Sequence, residues 1–376
     1  MLYRDFGRTG VKISALGFGG MRLPMVDRDG TSYVDEDIAV PLIHRAFEKG
    51  VNYIDTAYGY CNGKSEITIG KAIKGWRDRI SLSTKLPMWL VEKKDDYRRL
   101  LDEQLKKLDT DRIDFYHFHG LDKGSFENTV LKLNLLDEAV KARDEGLIGH
   151  ISFSTHENSE NIKYIIDTAG IFESMLCQYN LLDRASEEAL AYAHEKGLGT
   201  VIMGPVGGGR LGVPSKAIQS LVPGGVKTTA EIALRFVLTN PNVSCALSGM
   251  SSIQMLDENV ETASNPNLLS QKEIELINEA MEENRRLSEL YCTGCNYCMP
   301  CPAGVNIPLN FRLMNYHRVY NLTDYAKGEY SKIGSNDWMP GKPAHECLEC
   351  GACEPKCPQK IEIRRQLKET AKALNL

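Results

Sequence analysis

Eight of the chain's 11 cysteines lie between Cys292 and Cys357, in two copies of one pattern. The first copy is Cys292, Cys295, Cys298 and Cys301 followed by Pro302, and the second is Cys347, Cys350, Cys353 and Cys357 followed by Pro358. Thiolates in a C-x₂-C-x₂-C-x₃-C-P run hold paired [4Fe–4S] clusters, the first three on one cube and the fourth on the other. Cys292, Cys295, Cys298 and Cys357 are thus expected to share one cluster, and Cys347, Cys350, Cys353 and Cys301 the second. Paired C-x₂-C ligands also suit zinc, but zinc needs neither the fourth Cys three residues on nor the Pro after it. Cys61, Cys177 and Cys245 stand singly and read as inert small hydrophobes.

A second group of reactive side chains lies far upstream. Asp55-Thr56-Ala57-Tyr58-Gly59-Tyr60, Ser83-Thr84-Lys85 and Tyr116-His117-Phe118-His119 offer a carboxylate, phenols, an ammonium and imidazoles. Each group follows or ends a β-rich run. The expected strands are 13–18, 51–56, 80–86, 113–118, 149–154, 175–179, 199–203 and 244–247, separated by stretches with apolar residues at helical spacing. Leu100, Leu101, Leu105 and Leu108 make one such stripe. Gly50, Gly146 and Gly197 close helices just before strands.

Eight β/α alternations in under 300 residues predict a (β/α)₈ TIM barrel, whose usual size is about 250 residues. Gly17-Phe18-Gly19-Gly20 lacks the G-x-G-x-x-G spacing of a doubly wound dinucleotide fold. The barrel's last helix is expected to start at Ser270-Gln271-Lys272-Glu273, a capping box. Composition changes at Tyr291, so residues 1–290 are assigned to the barrel and 291–376 to a ferredoxin-like iron–sulfur domain. Between the cysteine runs, Phe311, Met314, Tyr316 and Tyr320 suggest a helix that docks on the barrel.

The 376 residues are 42% hydrophobic and 25% charged, with a net charge of −5, which is a globular composition rather than a disordered one. Mild acidity gives no reason to expect nucleic acid or an anionic membrane as partner. No apolar run approaches the roughly 20 residues of a membrane span. Charges at Arg4, Asp5 and Arg8 interrupt what a signal peptide would need, which points to the cytoplasm.

The strand-end groups closely resemble the aldo/keto reductase family. The resemblance covers most of residues 1–290, including Phe6-Gly7-Arg8-Thr9-Gly10, Leu16-Gly17-Phe18-Gly19, Lys64-Ser65-Glu66 through Gly70, and Asp257-Glu258-Asn259. It implies a catalytic tetrad of Asp55, Tyr60, Lys85 and His119, with Tyr60 rather than Tyr58 in the tyrosine position. A phenol is a sluggish acid at neutral pH, and a nearby ammonium improves it. Lys85 would supply that charge, Asp55 would aim it, and His119 would orient a carbonyl oxygen. Read singly, Asp55 and Lys85 are a structural ion pair and His119 a core histidine. His117 is expected to pack on the other face of its strand.

The resemblance also implies a nicotinamide dinucleotide, NAD(P)H, held by Ser154, Thr155, Gln178 and Met203 near the ring. Ser252, Glu258 and Asn259 would hold its adenosine side. Thr155 stands where the family usually has Asn, and Met203 where an aromatic commonly stacks. Gly249 and Met255 replace basic residues usual in members that prefer NADPH, so NADH is not disfavoured. Met88, Trp89, His156 and Tyr179 are expected to shape the pocket. The implied activity is oxidoreduction of a small-molecule carbonyl or alcohol, with clusters carrying electrons to or from a ferredoxin or flavoprotein. Hydride carries two electrons and each cluster one, a mismatch that a flavin usually bridges. The alternative is an electron-transfer module whose barrel mainly serves as a docking platform.

Overall fold

The computed structural model describes residues 1–28, 31–207, 211, 216–220, 226–266, 268–289, 292, 296–336, 338–357 and 360–375. Cys295, Tyr291, Pro358 and the run Gly208-Gly209-Arg210 lie outside the described residues. The chain forms two compact units, Met1–Gly208 with Ala233–Leu269, and Gly209–Ile232 with Ser270–Leu376.

The first unit opens with an antiparallel hairpin, β1 (Tyr3–Asp5) and β2 (Lys12–Ser14). β3 (Leu16–Gly19) then enters a parallel barrel, and a second hairpin, β4 (Met25–Arg28) with β5 (Thr31–Val34), follows it. The barrel continues through β6 (Tyr53–Asp55), β7 (Ser81–Leu86), β8 (Ile113–Phe118), β9 (Ile148–Thr155), β10 (Ser174–Gln178), β11 (Gly199–Met203) and β12 (Cys245–Ser248). These eight strands close on themselves in sequence order, β12 pairing with β3. All six residues of β7 are buried, as expected of parallel strands covered on both faces. The intervening helices include α1 (Glu36–Glu48), α2 (Ser65–Ala72), α3 (Asp96–Leu108), α4 (Leu135–Asp144), α5 (Ser159–Ala169), α6 (Glu187–Glu195), α7 (Thr229–Thr239) and α8 (Ile253–Ser264).

The first expected strand, 13–18, is in fact two. Ala15 separates them, its N–H donating to Leu2 and its carbonyl accepting from Ala246. Residues before Ala15 therefore pair with the hairpin and those after it with the barrel. The hairpin seals the barrel's N-terminal end. Phe6 lies at its turn, fully buried among Tyr53, Phe115, Leu176 and Val201, with its ring 4.8 Å from that of Phe115 at 75°.

The second unit carries α9 (Gln271–Glu289), α10 (Ile307–Arg318), α11 (Thr323–Tyr330) and α12 (Ile363–Leu374). Ser270 and Glu273 form the expected capping box, the Ser270 N–H donating to Glu273 Oε2 and the Glu273 N–H to Ser270 Oγ. The helix anticipated between the cysteine runs exists as α10, but its apolar face serves its own unit. Phe311 and Met314 are buried with Ile363, Leu367 and Leu374 of α12, and Tyr316 packs against them. A small domain needs such a core, because cysteine loops alone bury little apolar surface.

Gly199 makes room for Phe6, since a Cβ there would lie 2.3 Å from Phe6 Cδ2. Gly199→Ala should therefore overpack the sealed end and lower stability by about 1–3 kcal/mol. Denaturant unfolding would show it as a lower midpoint at unchanged slope. An unshifted midpoint would contradict the assignment of Phe6 as the plug.

Candidate active site and cysteine loops

Asp55 ends β6, Lys85 lies one residue before the end of β7, and His119 directly follows β8. Barrel enzymes place their chemistry at these C-terminal strand ends. Lys85 Nζ donates to Asp55 Oδ2 at 2.6 Å, to the Thr56 carbonyl at 2.7 Å and to the Tyr60 hydroxyl at 3.3 Å. The other Asp55 oxygen accepts from Ser83 Oγ at 2.8 Å. Both charged side chains are only 1% exposed. Burial alone would lower the Lys85 pKa, but Asp55 and Tyr60 outweigh it and hold the ammonium above its ordinary value.

Tyr60 stands at the start of a left-handed turn, with φ of 51° at Cys61, 56° at Asn62 and 76° at Gly63. Its ring meets that of His119 edge-on at 6.2 Å. Trp89, 59% exposed, also packs edge-on against His119, at 5.2 Å. Burial, Lys85, His117 and His156 together push the His119 pKa down to about 3. Its imidazole is neutral at physiological pH, and one of its nitrogens is therefore a hydrogen-bond donor.

Two expectations, those for His117 and Tyr179, need correction. His117 does not face away from the site: residues two apart on a strand share a face. It sits in register with Lys85, fully buried, with its pKa lowered to about 3 by burial and by Lys85. Tyr179 does not line the mouth; it is 1% exposed, stacked on Phe236 at 5.5 Å, and its hydroxyl donates to Glu187. Tyr58 turns away from Lys85 and donates to Glu103 Oε1 of α3 at 2.9 Å.

Ser154 Oγ accepts from the Gly120 N–H at 2.9 Å, one residue beyond His119, which leaves its own hydroxyl proton to donate. Gln178 Nε2 donates to Asp183 Oδ2 at 3.3 Å, leaving its carbonyl as an acceptor. Met203 ends β11 and packs on the barrel interior, partly exposed. Thr155 is fully buried, and its Oγ1 accepts from the Glu157 N–H in a turn. On α8, Ser252 is the N-cap and accepts from the Met255 N–H, Glu258 accepts from Gln254, and Asn259 donates to Ser248 Oγ. The stem of Arg22 lies where a Gly249 side chain would project, 3.2–3.4 Å from its Cβ position.

Spacing alone overlooked Glu66 and Gln104, both fully buried and hydrogen-bonded to each other. The signal was Gln104 itself, a polar residue four after Leu100 and four before Leu108 in an apolar helical stripe. Among the single cysteines, burial pushes the Cys177 thiol up to about 12 and raises that of Cys245, in keeping with inert packing.

In the second unit Cys298 and Cys353 are buried, Cys292, Cys301, Cys347 and Cys357 half-buried, and Cys350 exposed. Burial raises the Cys353 thiol, with smaller contributions from the charges of Glu354, Cys347 and Cys301. Cys301 of the first run thus lies near Cys353 of the second. Glu349 and Gly351, with φ of 53° and 75°, coil the second loop, and the Glu349 N–H points at Cys347 Sγ at 3.4 Å. Among the described residues, no helix is long and apolar enough to cross a membrane.

Residues 15–282 match the model of the aldo/keto reductase family, and residues 291–362 match that of the 4Fe-4S dicluster domain. The chain is 29% identical over 286 residues to L-galactose dehydrogenase of Arabidopsis thaliana, covering 68% of this chain and 86% of that one. It is 29% identical over 313 residues to an uncharacterized oxidoreductase of Bacillus subtilis, covering 74% and 95%. Among solved structures, the holo form of an aldo-keto reductase from Bacillus halodurans superposes with a TM-score of 0.63 at 28% identity. That match covers 74% of this chain and 96% of the other.

The two depressed histidines set a pH dependence. Each binds a proton only near pH 3 when folded but near 6.5 when unfolded. Between those values the unfolded chain holds more protons, so stability falls on acidification below about pH 6.5, by up to about 1.4 kcal/mol per pH unit per group. His117→Phe should flatten the slope of unfolding free energy against pH between 4 and 6. An unchanged slope would mean that His117 is protonated in the folded protein.

Proposed function

The chain belongs to the aldo/keto reductase family, and from that membership we propose that its barrel interconverts a small-molecule carbonyl and its alcohol, with Tyr60 as general acid and base. The observation that carries this reading is Lys85, whose ammonium reaches both Asp55 and the Tyr60 hydroxyl. A cation at that distance stabilises the phenolate left when Tyr60 gives up its proton. Asp55, fixed by Ser83, keeps Lys85 charged and aimed. Neutral His119 donates a hydrogen bond to the carbonyl oxygen, which orients it towards Tyr60 and steadies the negative charge that grows there. In reduction Tyr60 protonates the forming alkoxide oxygen, and in oxidation its phenolate takes the alcohol proton.

Ser154 and Gln178, each with one hydrogen-bonding atom still to use, suit the carboxamide of a nicotinamide dinucleotide, and Met203 offers an apolar surface beside its ring. Thr155, whose Oγ1 accepts the Glu157 N–H in a turn, keeps its own hydroxyl proton to donate, as Ser154 does. Ser252, Glu258 and Asn259 belong to the adenosine end, where neither Gly249 nor Met255 brings a charge. NADH is therefore accepted at least as readily as NADPH, and Arg22 is the cation that a contrary titration would implicate. Cys292, Cys295, Cys298 and Cys357 hold one [4Fe–4S] cluster, and Cys347, Cys350, Cys353 and Cys301 the other; the nearness of Cys301 to Cys353 supports this crossing. Bound dinucleotide supplies hydride and the clusters supply single electrons, with a flavin as the usual intermediary. A ferredoxin or flavoprotein is the fitting external redox partner.

Tyr60→Phe should lower carbonyl reduction by about 10²–10⁴-fold while leaving dinucleotide affinity near that of the wild type; unaltered turnover would overturn the assignment of the acid. Anaerobically purified protein should carry iron and sulfide for two clusters and no stoichiometric zinc. Cys347→Ala should lose one cluster's complement, leave the barrel folded, and abolish stopped-flow reoxidation of the prereduced clusters by the carbonyl substrate. Reoxidation at the wild-type rate would reduce the clusters to structural staples.

A further inference from the structure

Helix α3 touches the active site from outside the barrel at several points. Gln104 is fully buried, and both its amide nitrogen and its amide oxygen are hydrogen-bonded. Its Nε2 donates to Glu66 Oε1 at 2.5 Å and to the backbone carbonyl of Lys85 at 3.0 Å, and its Oε1 accepts from the Tyr116 hydroxyl at 2.7 Å. Thr84, whose side chain points outward where that of Lys85 points inward, donates to the same Glu66 oxygen at 2.7 Å. On the same helix Glu103, the residue before Gln104, accepts from the Tyr58 hydroxyl at 2.9 Å, and Lys107, about one turn on, lies 3.4 Å above the Tyr58 ring. Lys107 also pairs with Glu103 at 3.1 Å and approaches Glu66 at 3.8 Å.

These contacts fall on both sides of Tyr60. Tyr58 precedes it by two residues and Glu66 follows it by six, with the left-handed turn between. The same helix therefore holds both ends of the segment carrying Tyr60 and the strand carrying Lys85. We infer that α3 is the common frame that sets the separation of the Lys85 ammonium and the Tyr60 hydroxyl, with Gln104, Glu66, Glu103 and Tyr58 as positioning residues. None of the four is a catalytic residue. Tyr58 and Glu103 fix where the loop leaves the barrel, and Glu66 with Gln104 fixes where it returns relative to β7. Among the described residues, Glu66 Oε2 makes no hydrogen bond and has the Lys107 ammonium nearby, at 3.8 Å, while the other contacts of this buried cluster are made. Such a cluster is stiff, because moving a bonded member strands a donor or acceptor away from water. An apolar contact could slide by half an ångström without such a penalty.

The inference rests on the reading of Tyr60 as the acid, and one set of variants separates the two. Reduction of benzaldehyde by NADH would be followed in Tyr60→Phe, Tyr58→Phe, Gln104→Leu, Glu103→Ala and Glu103→Gln, with NADH affinity and melting temperature measured alongside. Tyr58→Phe, Gln104→Leu and Glu103→Ala should each lower kcat about tenfold or more, since small misplacements of reacting groups are expensive. The KM for benzaldehyde and the NADH affinity should stay within about twofold of the wild type. Glu103→Gln keeps an acceptor for the Tyr58 hydroxyl and should restore most of the kcat lost in Glu103→Ala. Full turnover in Tyr58→Phe and Glu103→Ala, with Tyr60→Phe inactive, would overturn the frame alone. Full turnover in Tyr60→Phe would overturn the acid and the frame together. Should Gln104→Leu fail to fold, Tyr58→Phe, a change at a half-exposed ring, still decides the matter.

Discussion

One buried ion pair governs the barrel's C-terminal face. Placing an ammonium and a carboxylate where each is 1% exposed carries a desolvation penalty of several kcal/mol per ion, and only close pairing with further hydrogen bonds offsets it. Lys85 satisfies its three donors on Asp55, the Thr56 carbonyl and the Tyr60 hydroxyl. Asp55 satisfies its second oxygen on Ser83. Burial depresses His117 and His119 most, and the same Lys85 charge adds to it. The charge of Lys85 and the approach of Tyr60 both trace back to that one contact.

Much of this was legible before any coordinates. The reactive groups sit at the ends of β-rich runs, and strand ends are where a barrel exposes side chains, so position along the chain nearly implied position in space. The cysteine runs were legible for a different reason: their ligands are close in sequence, and spacing is almost the whole geometry. What escaped notice was support from across elements. Gln104 looks like an interruption in a leucine stripe until Glu66 and the Lys85 carbonyl are seen around it. The break at Ala15 also depends on partners distant in sequence, since the same apolar run serves the hairpin on one side and the barrel on the other. For His117 the misreading was one of parity, because a period of two keeps it on the side of Lys85.

The second unit shows how a cysteine-rich segment acquires a body. Residues between the runs form α10 and α11, which meet the terminal α12 over an apolar core, and several cysteines pack at the rim of that core. The loops therefore rest on helices whose stability does not depend wholly on their ligands.

The plug formed by Phe6 and the N-terminal hairpin closes the barrel at the end away from Tyr60. Among the described residues, His119 and the exposed Trp89 stand beside Tyr60 at the opposite end. Two reactants that met at this one end would have to queue: the one seated deeper would enter first and leave last, roofed over by the second. Emptying the room, rather than the exchange inside it, would then set the pace under saturating conditions.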